Sequence, residues 1–177
     1  MASFSDLTPG IWKVDPAHSE VAFVARHLVV AKVRGVFTEY DATVTIGDSP
    51  ENSSVSATVQ LASLDTRNAD RDTHLRSGDF FDVENHPTMT FQSTKITPDT
   101  LVGDLTIRGV SRPVTFDVTF NGVTTDPWGN TKAGFEAEAE VNRKDWDLVW
   151  NVPLEGGGML VGDKVKLTID AELIKSA

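Results

Sequence analysis

The stretch Ala133-Gly-Phe-Glu-Ala-Glu-Ala-Glu-Val141 alternates apolar and small or acidic residues without interruption. Every odd position in it is apolar, and glycine or glutamate stands between. Because successive side chains of a β-strand point to opposite faces of a sheet, this period of two predicts a strand with one face against a core and the other in water. Such one-sided burial is typical of antiparallel sheet.

The same alternation recurs along the chain. It is complete at 55–61, 114–120 and 165–173, and shorter versions lie at 21–25, 40–46, 89–93 and 101–107. Turn-forming sequences separate these runs, among them Asn121-Gly122 and Gly156-Gly-Gly158. Eight or more strands at this spacing predict an all-β sandwich or barrel. Strands of about seven to eleven residues favour the barrel, since closure removes exposed sheet edges.

One segment, at about 68–77, departs from the alternation. Asn68 is of the type that caps a helix N-terminus, Asp70 and Asp72 stand in the first turn, and Arg76 stands near the end. The sequence therefore predicts a helix of two to three turns between strands. Its apolar residues are few, so we expect it to lie across an opening of the barrel.

Composition excludes several classes of function. The chain has 177 residues, which suits one domain, and no cysteine, so disulfides, Cys-ligated zinc and a thiol nucleophile are excluded. Its formal charge of −10 argues against nucleic-acid binding and against docking on anionic membrane, because both need a basic face. No apolar run approaches the roughly 20 residues of a spanning helix. Residues 1–10 lack the features of a signal peptide, so we expect a cytoplasmic protein.

Catalytic signatures are missing from the sequence. It contains no G-x-S-x-G elbow, no P-loop and no H-E-x-x-H, and its four histidines lack the spacing of a local metal site. Asp70 and His74 stand one helical turn apart, with Arg71 and Asp72 beside them. This cluster fits acid–base chemistry, but pinning of the helix to the barrel rim is the favoured interpretation.

Aromatic residues offer an apolar interior instead. Nine Phe and four Trp occur with a single Tyr. A barrel of about eight strands has an interior that side chains fill or that holds one small ligand. The residues by themselves leave both outcomes open.

A series of short motifs runs through the chain from residue 11 to 174. It begins with Trp12-x-x-Asp15-x-x-His18-Ser19-x-Val21-x-Phe23, His27-Leu28 and Gly35-x-Phe37. It continues with Ser63-x-x-Thr66-x-x-x-x-Arg71-Asp72-x-His74-Leu75, Phe80-Phe81, Pro87-x-x-x-Phe91-x-Ser93, Gly103-x-Leu105-x-Ile107-x-Gly109 and Arg112-Pro113. It ends with Asn142-Arg143-x-Asp145-Trp146, Trp150-Asn151 and Val161-Gly162-Asp163-x-Val165. The full series resembles the YceI-like, lipocalin-like polyisoprenoid-binding proteins.

The resemblance implies a fold and a ligand. The fold is an extended eight-stranded antiparallel barrel over 11–177, after an N-terminal extension at 1–10, with a helix at its side and a long apolar tunnel. The ligand is an isoprenoid or related lipid, such as a polyprenyl phosphate, an isoprenoid quinone or a fatty acyl amide. The resemblance also implies a homodimer that transports or sequesters lipid. We expect neither a metal nor a further cofactor.

Candidate ligand contacts follow from this hypothesis. Apolar side chains would line the tunnel, although each also suits ordinary core packing. They are Phe23, Phe37, Leu75, Phe80, Phe81, Phe91, Leu105, Ile107, Trp146, Trp150 and Met159. A polar or phosphorylated head group at the mouth would meet Arg71, His74 and Arg143. Pairing of the two arginines with Asp72 and Asp145 is the alternative.

Three functions remain open at this stage. The leading hypothesis is a non-enzymatic lipid carrier or reservoir. The second is a lipid-modifying enzyme that uses Asp70, Arg71, Asp72 and His74. The third is a dimeric interaction barrel that holds no ligand.

Overall fold

The computed structural model describes residues 2–176, which form eleven strands and one α-helix. The helix α1 spans Ala69–Arg76 with Asn68 as its N-cap, which confirms the predicted helix at about 68–77. The strands are β1 (Gly10–Val14), β2 (Glu20–His27), β3 (Ala31–Phe37), β4 (Tyr40–Ile46), β5 (Ser54–Gln60), β6 (Leu64–Asp65), β7 (Thr88–Ile96), β8 (Thr100–Ile107), β9 (Val110–Thr125), β10 (Thr131–Asn142) and β11 (Val161–Lys175). Short 3₁₀ turns lie at Phe4–Asp6, Pro16–His18, Pro50–Asn52, Leu61–Ser63 and Arg143–Trp146.

Three walls of the barrel each consist of two consecutive strands separated by a short break. β1 and β2 share the partner β11 and are separated by the turn Pro16–His18. β3 and β4 are separated by Thr38 and Glu39, and β5 and β6 by the turn Leu61–Ser63. With each pair counted as one wall, eight antiparallel walls follow in chain order, and β11 closes the ring on β1 and β2. The predicted eight-stranded antiparallel barrel is confirmed.

The up-and-down order gives the barrel two different ends. The helix end carries α1, the loop 28–30 between β2 and β3, and the loop 147–160 before β11. The turn end carries the N-terminal turn Phe4–Asp6 and the tight connections at 47–53 and 97–99. The two ends differ in how they are closed.

Trp146 packs across the helix end of the core. Its side chain is fully buried in a cluster with Phe91, Leu105 and Leu148. The indole Nε1 donates a hydrogen bond of 2.9 Å to the Leu105 carbonyl. A large apolar side chain whose single polar atom is satisfied makes a stable plug, so the core is solid at this end.

Arg143 ties the loop 147–160 to β11. Only 4% of the residue is exposed, and its Nε donates to the Gly162 carbonyl at 2.9 Å. Its Nη1 donates to the carbonyls of Leu148 and of Trp150, the latter at 3.0 Å. Burial lowers the pKa of the guanidinium below its usual range. The planar fork of donors satisfies several carbonyls of the loop at once.

Lys132 holds the interrupted first wall against its neighbours. Its ammonium on β10 lies 2.9 Å from Asp15 Oδ2 and 2.9 Å from Glu172 Oε1. Asp15 also accepts from the backbone of Ala17 in the 3₁₀ turn. Hydrogen bonds from Lys132 and then His18 lower the pKa of Asp15 to about 2, and hydrogen bonds to Asp15 and then Glu172 raise the pKa of Lys132 to about 12. The network therefore depends on both charges.

Replacement of Arg143 by lysine is expected to destabilise the fold by about 2–4 kcal/mol, because one ammonium cannot reach carbonyls on both sides of the loop. Urea unfolding followed by tryptophan fluorescence measures the change. Lys144→Met is the control, since its exposed pair with Asp163 should contribute less than about 1 kcal/mol. Equal stability of the two variants would contradict the structural role of Arg143.

Replacement of Lys132 by methionine is expected to reduce the loss of unfolding free energy that the protein shows as the pH falls below about 4. With the donor present, the lowered pKa of Asp15 stabilises the fold above pH 3.8, and this contribution is lost as the pH falls towards about 2. Without Lys132 the pKa of Asp15 returns towards 3.8, so less stability is lost in that window. The free energy of unfolding is measured across it for both proteins. Lys166→Met, which removes an exposed partner of Glu138, should keep the wild-type slope.

Candidate functional site

A cavity of about 240 Å³ occupies the interior of the barrel between the turn end and the middle. All eight walls contribute to it, and the inward positions of the alternating runs supply most of its surface. The apolar residues of its lining include Val14, Val21, Phe37, Val44, Val55, Val59, Met89, Phe91, Leu101, Leu105, Phe116, Val118, Phe120, Phe135, Ala137, Leu167, Ile169 and Leu173. The volume is close to the lower bound of roughly 300 Å³ for small-molecule sites.

Polar groups reach the cavity where two walls part. Pairing of β1 with β4 ends at Lys13 and Thr43, and pairing of β2 with β3 begins only at Val21 and Phe37. The segments 14–20 and 38–42, which do not pair with each other, form what we call the wall gap. Two hydroxyl residues of this gap, Ser19 and Tyr40, line the cavity.

Tyr40 is the only tyrosine of the chain and is partly buried in this gap. Burial, together with the negative charges of Glu20 and Asp15, raises the pKa of its phenol. Asp41 and Asp170 border the cavity from exposed, outward positions of β4 and β11, and within residues 2–176 no lysine, arginine or histidine lines it. The polar groups that the wall gap presents to the cavity are therefore hydroxyls.

The N-terminal turn lies against the turn end of the cavity. Phe4 and Leu7 contribute to the lining. Leu7 is buried beside Trp12, Ile46 and Leu173, while Phe4 is only partly buried. Part of the N-terminal extension expected at 1–10 therefore contributes to the site.

The predicted tunnel residues fall into separate groups. Phe37, Phe91 and Leu105 line the cavity. Phe23 and Phe81 pack on Phe37, with ring centroids 5.6 Å and 6.1 Å from it. Their side chains belong to the core beyond the inner limit of the cavity.

The remaining predicted tunnel residues lie at the helix end. Leu75 packs against the cluster that contains Phe37, and Ile107 and Trp146 belong to the buried cluster of Leu105. Met159 is 44% exposed on the loop 147–160. Ligand contact by these residues stays a prediction.

Phe80, Trp150 and His74 form an aromatic cluster outside the cavity. The His74 ring lies 5.1 Å from that of Phe80 and 4.5 Å from that of Trp150, both edge to face. Its Nε2 lies 3.0 Å from Asp79 Oδ2. The cluster packs the C-terminal end of α1 against the loop 147–160.

Arg71 and Asp72 meet through Thr66 rather than directly. Asp72 is buried and accepts from the backbone N–H and the hydroxyl of Thr66, while Arg71 Nε donates to that hydroxyl at 2.8 Å. Neighbouring residues of a helix do not face each other, which explains why the pair needs an intermediary. These bonds pin α1 to the rim, as the favoured interpretation of the sequence had it.

The three predicted head-group residues lie away from the cavity. Arg71 and His74 lie on α1, and Arg143 is buried against backbone carbonyls, with Asp163 rather than Asp145 as its nearest carboxylate at 3.7 Å. None of the three lines the cavity. Their role in binding a head group stays a prediction.

One group of possible metal ligands occurs in the described part of the chain. Donor atoms of Asp15, His18 and Glu172 lie within 4.8 Å of one another. The ammonium of Lys132 already contacts both carboxylates, so it supplies the balancing charge. Sequence reasoning missed this cluster because Lys132 and Glu172 are more than a hundred positions from Asp15.

Searches of known proteins agree with this architecture. The profile of the YceI-like domain matches residues 12–173. A UPF0312 protein of Staphylococcus epidermidis is 41% identical over 161 residues, which cover 89% of this chain and 94% of that protein. No helix within residues 2–176 is long and apolar enough to cross a bilayer.

Solved structures show the same fold. BcnA of Burkholderia cenocepacia superposes with a TM-score of 0.74 at 23% identity, over 90% of this chain and 98% of that one. A domain of Saccharophagus degradans described as polyisoprenoid-binding superposes with a TM-score of 0.70 at 11% identity, over 93% of this chain and 98% of that one. The barrel, its motif series and the match over residues 12–173 lead to one conclusion: the chain belongs to the YceI-like family.

Proposed function

We propose that the barrel binds an isoprenoid or related long-chain lipid in its interior and carries or sequesters it. The observation that supports this proposal is the apolar cavity to which all eight walls contribute. The YceI-like family and the polyisoprenoid-binding description of the S. degradans domain agree with a lipid ligand. Cytoplasmic location and a homodimer remain predictions.

The cavity suits a branched or linear hydrocarbon chain. Burial of each CH₂ group contributes about 0.8 kcal/mol, and this gain requires walls without unsatisfied polar groups. Phenylalanines from β3, β7 and β9, namely Phe37, Phe91 and Phe116, provide such walls, and Met89 adds an adaptable side chain. Water has few hydrogen-bond partners there, so a hydrocarbon chain that displaces it breaks few hydrogen bonds.

The lining favours a ligand with an uncharged head group. A phosphate inside the cavity would be buried among apolar side chains without a lining cation to balance it. A hydroxyl, quinone carbonyl or amide could instead hydrogen-bond to Tyr40 at the wall gap, since the Ser19 hydroxyl already bonds to the backbone of Glu172. We therefore favour an isoprenoid quinone, prenyl alcohol or acyl amide over a polyprenyl phosphate.

The two rival functions have less support. The polar groups proposed for a lipid-modifying enzyme are engaged in holding α1, since Arg71 and Asp72 bond to Thr66 and His74 lies beside Asp79. A barrel that acts only through protein contacts needs no interior cavity.

Replacement of Ala137 by phenylalanine is expected to abolish retention of lipid, because the new ring would occupy the cavity from β10. We expect at least a tenfold loss of affinity for a fluorescent isoprenoid analogue, with the fold retained. Glu138→Phe is the matched control, since the adjacent side chain points out of the barrel and is exposed. Equal binding by both variants would count against the cavity as the lipid site.

Replacement of Tyr40 by phenylalanine is expected to lower the affinity for a prenyl alcohol or quinone by about three- to tenfold, because it removes one neutral hydrogen bond. Calorimetric titration with the alcohol and with the matching phosphate measures the preference. The wild-type protein should favour the alcohol, and Arg71→Met should change neither affinity. A preference for the phosphate that Arg71→Met removes would instead place the head group at the helix end.

A further inference from the structure

The connection between β2 and β3 exposes three consecutive apolar side chains at the helix end. Leu28 is 43% exposed, Val29 60% and Val30 82%. A second loop lies beside it, since the Leu28 N–H donates to the Leu160 carbonyl at 2.9 Å. That loop adds Val152 and Met159, which are 43% and 44% exposed. We call these five side chains, Leu28, Val29, Val30, Val152 and Met159, the docking tip.

The backbone of the docking tip is unfavourable for the residues that occupy it. Leu28 and Val29 have φ angles of 53° and 67°, in the left-handed region. Hairpin connections that need positive φ normally carry glycine, asparagine or aspartate, and a β-branched residue there is a clear outlier. The chain thus places large apolar groups in water at a conformational cost, which points to a partner for them.

Cations flank the docking tip on both strands. The segment 21–38 is the longest stretch of the chain without an acidic residue, and it contains Arg26, Lys32 and Arg34. Arg34 pairs with Glu20. Arg26 and Lys32 lie directly opposite each other in the ladder, and no carboxylate of residues 2–176 lies within salt-bridge distance of either. Like charges opposite each other in a sheet are destabilising, so this pair is arranged for an external anion.

We propose that the docking tip and the cations Arg26 and Lys32 bind the surface of an anionic lipid bilayer. A strand rises about 3.3 Å per residue, so the two cations lie roughly 7–10 Å behind the apolar tip. Interfacial segments bury their apolar side chains about 5–10 Å into the boundary between head groups and acyl chains. With the tip at that depth, both cations lie at the level of the phosphates. The protein carries −10 overall and the loop 147–160 contains exposed Asp147 and Glu155, but the hairpin 21–38 contains only basic and neutral residues.

A second copy of the chain fits this surface less well. A two-fold symmetric contact through the docking tip would place the same patch on both subunits. Arg26 and Lys32 of one subunit would then approach the same cations of the other, and no acidic residue of 21–38 would separate them. A layer of anionic head groups balances both cations of the surface without that repulsion.

The proposal goes beyond retention of lipid in the cavity and does not depend on it. The docking tip lies at the helix end, where Trp146 and its neighbours close the core, while the cavity extends from the turn end. Loss of docking should therefore leave binding in the cavity unchanged, and the two functions can fail separately.

The test is flotation of the full chain with vesicles of phosphatidylcholine, alone or with about one third phosphatidylglycerol. We expect binding to the anionic vesicles only, weakening as salt rises. Reversal of both charges, in Arg26→Glu with Lys32→Glu, should lower the partition coefficient between vesicles and water by about 25-fold or more. This value follows because each cation near an anionic surface contributes roughly fivefold. Val30→Asp should lower it by more than about tenfold.

Two controls make the assignment specific. Lys13→Glu with Lys95→Glu makes the same charge change at exposed positions near the turn end, and Trp128→Asp removes an apolar side chain, 83% exposed, from that end. Both should bind vesicles like the wild type, and all variants should keep lipid affinity in the cavity. Absence of vesicle binding, equal loss in the controls, or a dimer that Val30→Asp dissociates would overturn the proposal, the last by assigning the tip to self-association.

Discussion

Closure of the barrel by β11 is the constraint on which the rest of the structure depends. This strand pairs along its length with β10 on one side and with both β1 and β2 on the other. Because the first and last walls meet there, no long edge is left to associate with other chains. The cavity exists only while this seam holds, and the network of Lys132 with Asp15 and Glu172 reinforces the seam where the first wall is interrupted.

The alternating runs predicted the walls because their inward positions are set by a local rule. Phe116, Val118 and Phe120 face the cavity, as their period of two requires. The same rule could not predict that three walls would be interrupted. The breaks, such as those at Pro16–His18 and Leu61–Ser63, depend on how each strand pairs with its neighbours in the closed sheet. Tyr40 acquires its place in the site from one of these breaks, so no local pattern singled it out.

The motifs by which the family was recognised lie largely at the helix end. Trp146, Arg143 and the Thr66–Asp72 pair are all buried there and bonded to backbone or to each other. Their residue types are demanding because a buried donor or acceptor must find its partner. Cavity walls need only apolar residues of suitable size, and such residues carry little sequence signal. The motif residues therefore predicted the fold well, whereas of the predicted tunnel residues only Phe37, Phe91 and Leu105 line the cavity.

The two ends of the barrel differ in what it takes to open them. Opening at the helix end requires loss of the Trp146–Leu105 hydrogen bond and of the carbonyl contacts of buried Arg143. At the turn end the chain before β1 contributes a partly exposed Phe4 in a three-residue 3₁₀ turn without buried residues. Local unfolding has the lowest free energy where few apolar contacts are lost. Exchange of a bound chain therefore proceeds at lower free energy through the turn end or the wall gap, which leaves the helix end rigid enough to hold a surface in fixed orientation.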